Sequence, residues 1–338
     1  MAKCGVPRID GLLDGGGAPA LGPGDSDAQA VGLVQELLRA QGFTRLPDMR
    51  SNAYGKFGDL TRQAVVACRT SAGLDDTPRV DGALLADLVK RSPANPVASR
   101  GYLTLALDFE YTDLLGLISL TSLFESGARF ACLNLNTDRC GLSFGIIQWA
   151  QKPGRLHEIV QAFRDAAPDV MAEIAGSREI LDGLLAHTAR PNGGVDAASG
   201  RTLDARFDLV AEPWRSRFEQ MGRNQDLQKV QIREASGAFQ ASLDRIRRDA
   251  PMVSSQRGFA FMLDLANQHG DAGASSIYRA AARPGLAEPD VLAAMEQESV
   301  RRVASQFGTS SNEAASTLNR RQFFRTTPWL SDAEGASV

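Results

Sequence analysis

An excess of positive charge is missing from this sequence: 37 Lys and Arg stand against 40 Asp and Glu, a net charge of −3. Nucleic-acid binding rests on cations that neutralise phosphates, and no basic run offsets the balance, so no nucleic-acid partner is expected. Histidine is scarce. His157, His187 and His269 are the only three, widely spaced and outside any HExxH pattern, which disfavours a zinc peptidase or amidase. No metal or organic cofactor is implied. The four cysteines, Cys4, Cys68, Cys132 and Cys140, make neither a disulfide framework nor a CxxC metal pattern. Cys132 and Cys140 flank an expected hairpin and are able to pair across it, although two reduced thiols is the plainer reading. Long apolar runs are absent too. The longest, residues 114 to 124, is roughly half the ~20 residues that a bilayer span needs, so no membrane insertion is expected.

What is present is a chain of 338 residues with 43% hydrophobic content, room for two domains and a sizeable core. Gly and Pro crowd residues 1 to 25, and RSPANPVASRG at 91 to 101 reads as a linker because its prolines disfavour helix. The expected organisation is a disordered leader over 1–25, a small module over 26–92, a linker over 93–103 and a larger domain over 104–330. The fold class read from the periodicity is mainly α.

In the small module a helix over 27–41 carries Val31, Val34, Leu37 and Leu38 on one face and stops at Gly42. A turn-rich SNAYGKFG follows, then a helix from Asp59 and a third after Asp81-Gly82. Three such helices suit any small bundle. The run GKFGDLTRQAVVACRTSAGL, followed by VDGALLADL, adds more, because it resembles the peptidoglycan-binding domain of bacterial wall hydrolases. Gly55, Phe57, Gly58, Thr61, Ala64, Val65, Gly73, Leu74, Asp81, Gly82 and Leu88 stand where that family's pattern asks. Cys68 departs from it, where an aromatic is usual, and the last helix lacks a threonine. The resemblance implies peptidoglycan as a partner.

The larger domain shows helix-length apolar patterns at 103–125, 154–174, 178–187, 203–221, 225–247, 255–268, 288–306 and 312–325, with strand-like content only at 130–147. Glu125 ends a nearly uninterrupted apolar helix, and Ser126-Gly127 is its stop. Apolar surroundings favour a carboxyl that donates a proton, yet on the residues alone a solvated helix-terminal Glu is an equal reading. Beyond it lie a hairpin, a second carboxylate at Asp138 and a hydroxyl at Ser143. Glycoside hydrolysis needs such a set: an acid for the leaving oxygen and a carboxylate across the bond. Asp138 read in isolation is also an ordinary turn residue.

At these residues the domain resembles the lysozyme-like superfamily, and within it the bacterial chitosanases, whose motif DGxGxTGGIIGF leads into a helix. Here DRCGLSFGIIQW runs without a gap from Asp138 to Trp149, so Asp138, Gly141, Ser143, Gly145, Ile146 and Ile147 fall on family positions. The resemblance implies a lysozyme-like α domain with one small β-hairpin, Glu125 as general acid, Asp138 as general base and Ser143 holding water. Gln148, Trp149 and Asn136 are the expected substrate contacts. Downstream, QRGFAFMLDLANQHG and LNRRQFF resemble the family's central helix and late Arg-x-Phe segment. A buried Asp264 then needs a cation, supplied by Arg301, Arg302 or Arg321, in a network that supports the site.

Three functions are compatible with these features. One is a peptidoglycan glycan-strand hydrolase of muramidase (lysozyme) type, a bacteriolytic endolysin-like enzyme. The others are a chitosanase acting on glucosamine polymers and a non-catalytic wall-binding protein. The wall-binding resemblance favours the first, as does the segment ARFACLNLNTDRCGLSFGIIQW, whose two Arg and one Asp do not suit a polycation. A monomer is expected. Residues 1 to 17 lack the apolar core of a secretory signal, so cytoplasmic synthesis is expected, with action on the wall after lysis or specialised export.

Overall fold

A computed structural model describes residues 4–333. It divides into two compact units: one holds residues up to Tyr111 together with Glu125–Glu234, the other Thr112–Phe124 with the chain from Ala235 onward. Helix dominates both, and the described strands form one small antiparallel sheet.

The first unit opens on four helices, α1 Pro7–Leu13, α2 Ala28–Ala40, α3 Asp59–Ser71 and α4 Gly82–Lys90. Their apolar stripes meet in one core: Ile9 from α1, Val31, Val34 and Leu38 from α2, Val65 and Cys68 from α3, Leu84 and Leu85 from α4. Asp27 and Asp81 cap α2 and α4 by accepting from Ala30 and Leu84 N–H, which satisfies donors that the first helical turn leaves unpaired. The leader expected to be disordered corrects here. Pro7 starts α1, Ile9 and Leu12 are buried, and Leu21 pairs with Val80 through two backbone bonds. Composition rich in Gly and Pro points to disorder, but Cys4, Val6, Ile9, Leu12 and Leu21 are all buried in the core and dock this short helix.

The motif residues of this module are explained by folding. Gln35, sealed from solvent, donates to the Lys56 carbonyl and Thr61 Oγ1 and accepts from Gly55 N–H, so it clamps the SNAYGKFG turn onto α2. A Cβ at Gly55 would lie 2.8 Å from the Ala28 carbonyl oxygen. Arg69, 2% exposed, gathers the loop after α3 by bonding Asp75 and Asp81.

Glu36 is a buried acid that accepts from Tyr54 Oη at 2.6 Å and Gly101 N–H at 3.2 Å. Burial lifts its carboxyl above the ordinary value of 4.5, against those two hydrogen bonds. An acid whose folded pKa is raised binds protons more tightly folded than unfolded, so its stabilisation is present at low pH and lost as pH climbs from about 4.5 upward. Gln fits the same partners, with its oxygen toward Gly101 and its NH₂ toward Tyr54. Glu36→Gln is therefore expected to raise the unfolding temperature at pH 8 by a few degrees and to flatten its decline between pH 5 and 8. Thermal melts over that range check it; an unchanged slope counts against the assignment.

Residues 93–103, expected as a linker, are tied down within the same unit. Val97 bridges Arg129, Ala98 N–H donates to the Ala128 carbonyl, and Tyr102, 2% exposed, donates to Gln228 at 2.7 Å. The helical pattern at 103 breaks after a short π-helical turn, Tyr102–Ala106. The unit continues through β1 Leu133–Leu135, β2 Leu142–Phe144, β3 Trp149–Ala150, α6 Arg155–Ala166, α7 Pro168–Ala175, α8 Arg178–Thr188 and α9 Trp214–Arg223. Pro168 splits the single helix expected over 154–174, because a proline is tolerated in a first turn but not in a helix interior.

The second unit packs α5 (Asp113–Ser126, up to Phe124), the later part of α10 (Gln225–Asp249), α11 (Gln256–Ala281), α12 (Glu288–Phe307) and α13 (Asn312–Thr326). Leu115, Leu117, Ile118, Leu120 and Leu123 of α5 are all buried, as are Thr121 and Ser122 between them, the all-round burial expected of a core helix. No described helix is long and apolar enough to cross a membrane.

Candidate active site

Glu125 is half-buried at the penultimate position of α5, where the chain passes into the first unit. The helix stops there because Gly127 and Ala128 both turn left-handed, φ 62° and 60°. Ser126 secures this end: its hydroxyl donates to the Ile146 carbonyl at 3.1 Å, buried. The guanidinium of Arg129 donates to the Ser126 carbonyl and reaches Cys132 Sγ at 3.4 Å. Gln231, fully buried on α10, accepts from Ile146 N–H and donates to the Phe130 carbonyl. Two side chains thus lock the turn after β2 onto the residues that follow Glu125.

The sheet has two chemically different faces. Leu133 faces Phe144, Leu135 faces Leu142, and Phe144 faces Trp149. Phe144 packs on Phe218 and Phe163 with ring centroids 5.3 and 6.1 Å apart, so this face belongs to the core. Asn134, Ser143 and Ala150 share the opposite face, since cross-strand partners alternate with their neighbours. Ser143 is 3% exposed on the middle strand. Asp138 sits at the hairpin tip, exposed, with Oδ1 accepting from Cys140 N–H at 3.1 Å. It is thus both a turn residue and a carboxylate open to solvent.

Several expected residues take other roles. Trp149 is 3% exposed on the core face of the sheet, so its indole offers no platform for a sugar. Gln148, left-handed at φ 55°, donates its amide to the Gly145 carbonyl at 2.9 Å. Asn136 has both ends of its carboxamide engaged within the protein, on Gly141 N–H and the Ser199 carbonyl. Both amides brace the hairpin through these bonds. Cys132 and Cys140 are free thiols. The register that sets Leu135 against Leu142 puts Cys132 near Gly145 and Cys140 near the tip, at opposite ends of the hairpin. Burial and the Asp138 charge both push the Cys140 thiol up, so it stays protonated.

Asp264, wholly buried, has the cationic partners that its burial requires, in the second unit. Arg320 grips it bidentately, Nε to Oδ2 at 2.7 Å and Nη2 to Oδ1 at 2.6 Å, and Arg321 bonds the same Oδ2. Arg321 continues to Gln268 and Ser299. Arg301 is corrected: it is 66% exposed and pairs with Glu298 on its own helix. Arg302 goes to Glu298 and Ser276. Arg320 was missed, although it neighbours Arg321, because a sequence cannot say which of two adjacent helix positions reaches inward; here both do. The Arg320 guanidinium also lies 5.7 Å from the centre of the Phe124 ring, which packs on Phe323 and Phe324. His269 lies in this neighbourhood, and burial, then Arg321 and Arg320, lower its pKa to about 4.

Two cavities of about 720 and 590 Å³ open in the second unit, one beside Ser255, Arg257 and Glu288, the other beside Gln268, His269 and Phe307. Neither is lined by Glu125, Asp138 or Ser143. Among the described residues no cluster of His, Cys, Asp or Glu is placed to hold a metal ion.

No protein-family profile and no curated protein matches the chain. Among solved structures it is similar to the native chitosanase of Bacillus subtilis MY002, with TM-score 0.46 and 16% identity over 62% of this chain and 85% of that one. It is also similar to the GH46 chitosanase of Gynuella sunshinyii in complex with chitotetraose, with TM-score 0.47, 14% identity and coverage of 64% and 88%. A third is chitosanase OU01 with substrate, with TM-score 0.44, 17% identity and coverage of 62% and 86%.

Proposed function

We propose that this chain is a lysozyme-like glycoside hydrolase that cuts the glycan strand of peptidoglycan, with Glu125 as general acid, Asp138 as general base and Ser143 steadying the attacking water. The observation that carries the proposal is the junction at Ser126. A half-buried acid at a helix end is hydrogen-bonded through its neighbour to the turn that closes β2, and the same short sheet presents Ser143 and, at its tip, an exposed carboxylate. The acid and the prospective base therefore ride on one braced substructure.

In an inverting reaction Glu125 gives its proton to the glycosidic oxygen as the bond to the anomeric carbon breaks. Asp138 takes a proton from the water that attacks the opposite face. That mechanism needs carboxyl groups roughly 6.5–9.5 Å apart, to leave room for the water.

Peptidoglycan is preferred over chitosan for two reasons. The module over 26–92 resembles a wall-binding domain, and such a domain raises local substrate concentration only when the substrate is the wall. In addition, Arg129 and Arg139 near the two carboxylates are both exposed, a poor setting for a polycation. The chitosanase reading rests on the gapless DRCGLSFGIIQW motif.

Digestion of purified sacculi and of chitosan in parallel decides between them. The expected outcome is soluble fragments from sacculi with muramic-acid reducing ends by mass analysis, released first as the inverted anomer by NMR. Release from chitosan alone would establish the second reading, and anhydro-muramic ends would mean a lytic transglycosylase.

A further inference from the structure

Two carboxamides that the proposed chemistry does not use grip the arm of the hairpin leading away from Asp138. Asn136 accepts from Gly141 N–H at 2.9 Å and donates to the Ser199 carbonyl at 3.0 Å. Gln151, 2% exposed, accepts from Leu142 N–H at 3.1 Å and donates to the Gly193 carbonyl at 2.8 Å. Gly141 and Leu142 are consecutive and follow Asp138 by three and four positions. Each of these successive N–H groups thus ends on a carboxamide whose other end holds the loop over 191–202. A carboxamide presents an acceptor and a donor on one rigid plane; a carboxylate would turn an oxygen against the loop carbonyl.

The loop is built to be held there. Asp196 Oδ1 accepts from Ser199 N–H and Oγ at 2.8 Å each, which folds the loop and presents the Ser199 carbonyl. Loop and hairpin touch without clearance: a Cβ on Gly200 would lie 2.2 Å from Asn136 Oδ1 and 2.6 Å from the Arg139 carbonyl oxygen. One on Gly193 would lie 2.2 Å from the Gln151 carbonyl oxygen.

We propose that Asn136 and Gln151 are positioning residues that fix Asp138 against the loop, so that the geometry of the base is set by the 191–202 segment. This rests on Asp138 acting as the base. An error of about 1 Å in the placement of a catalytic group costs on the order of 10²-fold in rate, and this clamp is what prevents it.

The test uses the full chain acting on solubilised glycan strands. Asn136→Asp and Gln151→Glu keep size and remove the donor; Gly200→Ala alters no polar atom, and its Cβ, added at a left-handed φ of 67°, pushes the loop from Asn136 and the Arg139 carbonyl. Each is expected to lower kcat by about 10- to 100-fold with KM changed less than about twofold. Sodium azide separates misplacement from general damage. Azide attacks the anomeric carbon without needing a base, the glycosidic C–O bond breaks, Glu125 protonates the departing oxygen, and a glycosyl azide is released. Azide is expected to restore turnover in all three variants, as in Asp138→Ala, with glycosyl azide seen by mass analysis.

Wild-type kcat in the clamp variants, or a loss in all three that azide does not repair, would overturn the proposal. Should one carboxamide variant fail to fold, Gly200→Ala decides alone by the same readout. Full activity of Asp138→Ala would instead remove the base assignment itself, an outcome distinct from failure of the clamp.

Discussion

Glu125→Gln is expected to slow glycan cleavage by about 10²-fold or more, the usual scale of general acid catalysis, while leaving the fold intact. The amide has the shape of the acid and no proton to give. Glu125 is half-buried at the last turn of α5, and its neighbour Ser126 holds that turn through the Ile146 carbonyl, a bond that an isosteric change at Glu125 leaves in place. The loss is expected in kcat, with affinity for the strand retained, because proton donation matters only as the bond breaks. Turnover of solubilised strands, alongside a thermal melt to confirm equal stability, provides the check. A variant that clears glycan at the wild-type rate would mean that the acid lies elsewhere. A substrate whose leaving group departs without protonation, such as a dinitrophenyl glycoside, should recover much of the lost rate in Glu125→Gln. It should recover none in Asp138→Asn, because activation of water is still needed there.

Asp264→Ala is expected to produce the largest loss of stability from a single change. The carboxylate is fully buried and holds two guanidiniums, Arg320 bidentately and Arg321 at a shared oxygen. Removing it leaves two cations in low dielectric with their strongest acceptor gone, and breaking a buried pair in this way costs about 3–5 kcal/mol. At ~1.4 °C per kcal/mol, from an unfolding entropy of about 2.1 cal/mol/K per residue, the unfolding temperature should drop by roughly 4–7 °C. A triple replacement, Asp264→Leu with Arg320→Met and Arg321→Leu, should restore part of that loss, because it removes the stranded charges along with their partner. Circular dichroism melts of the three proteins test this. Equal stability of Asp264→Ala and wild type would show that solvent or another acceptor replaces the carboxylate without cost.

Much of this architecture is legible in the order of residues. The apolar stripes of α2, α3 and α4 and the capping aspartates Asp27 and Asp81 are local signals, and they produce the helices expected from them. The uninterrupted apolar run before Glu125 announces a buried helix, and Asp264 among leucines announces a charge that must find cations. The expectation failed where composition stood in for contacts. The Gly-rich leader docks α1 because Ile9 and Leu12 find a core. The proline-rich segment at 93–103 is tied to Arg129 and Gln228, residues distant in sequence.

The site divides in the same way. The order of residues determined which groups are available: an acid at a helix end, a carboxylate in a turn, a hydroxyl two residues before Gly145, and an aspartate in need of arginines. Long-range packing decided what each one does. It turned Trp149 into the core, engaged the carboxamide of Asn136 within the protein, chose Arg320 and Arg321 over Arg301, and set Gln151 and Gln231 as braces. The physical reason is that periodicity and capping depend on neighbours within a few positions, whereas the partner of a buried polar group is chosen by which distant backbone atoms are left unsatisfied once the chain has closed around them.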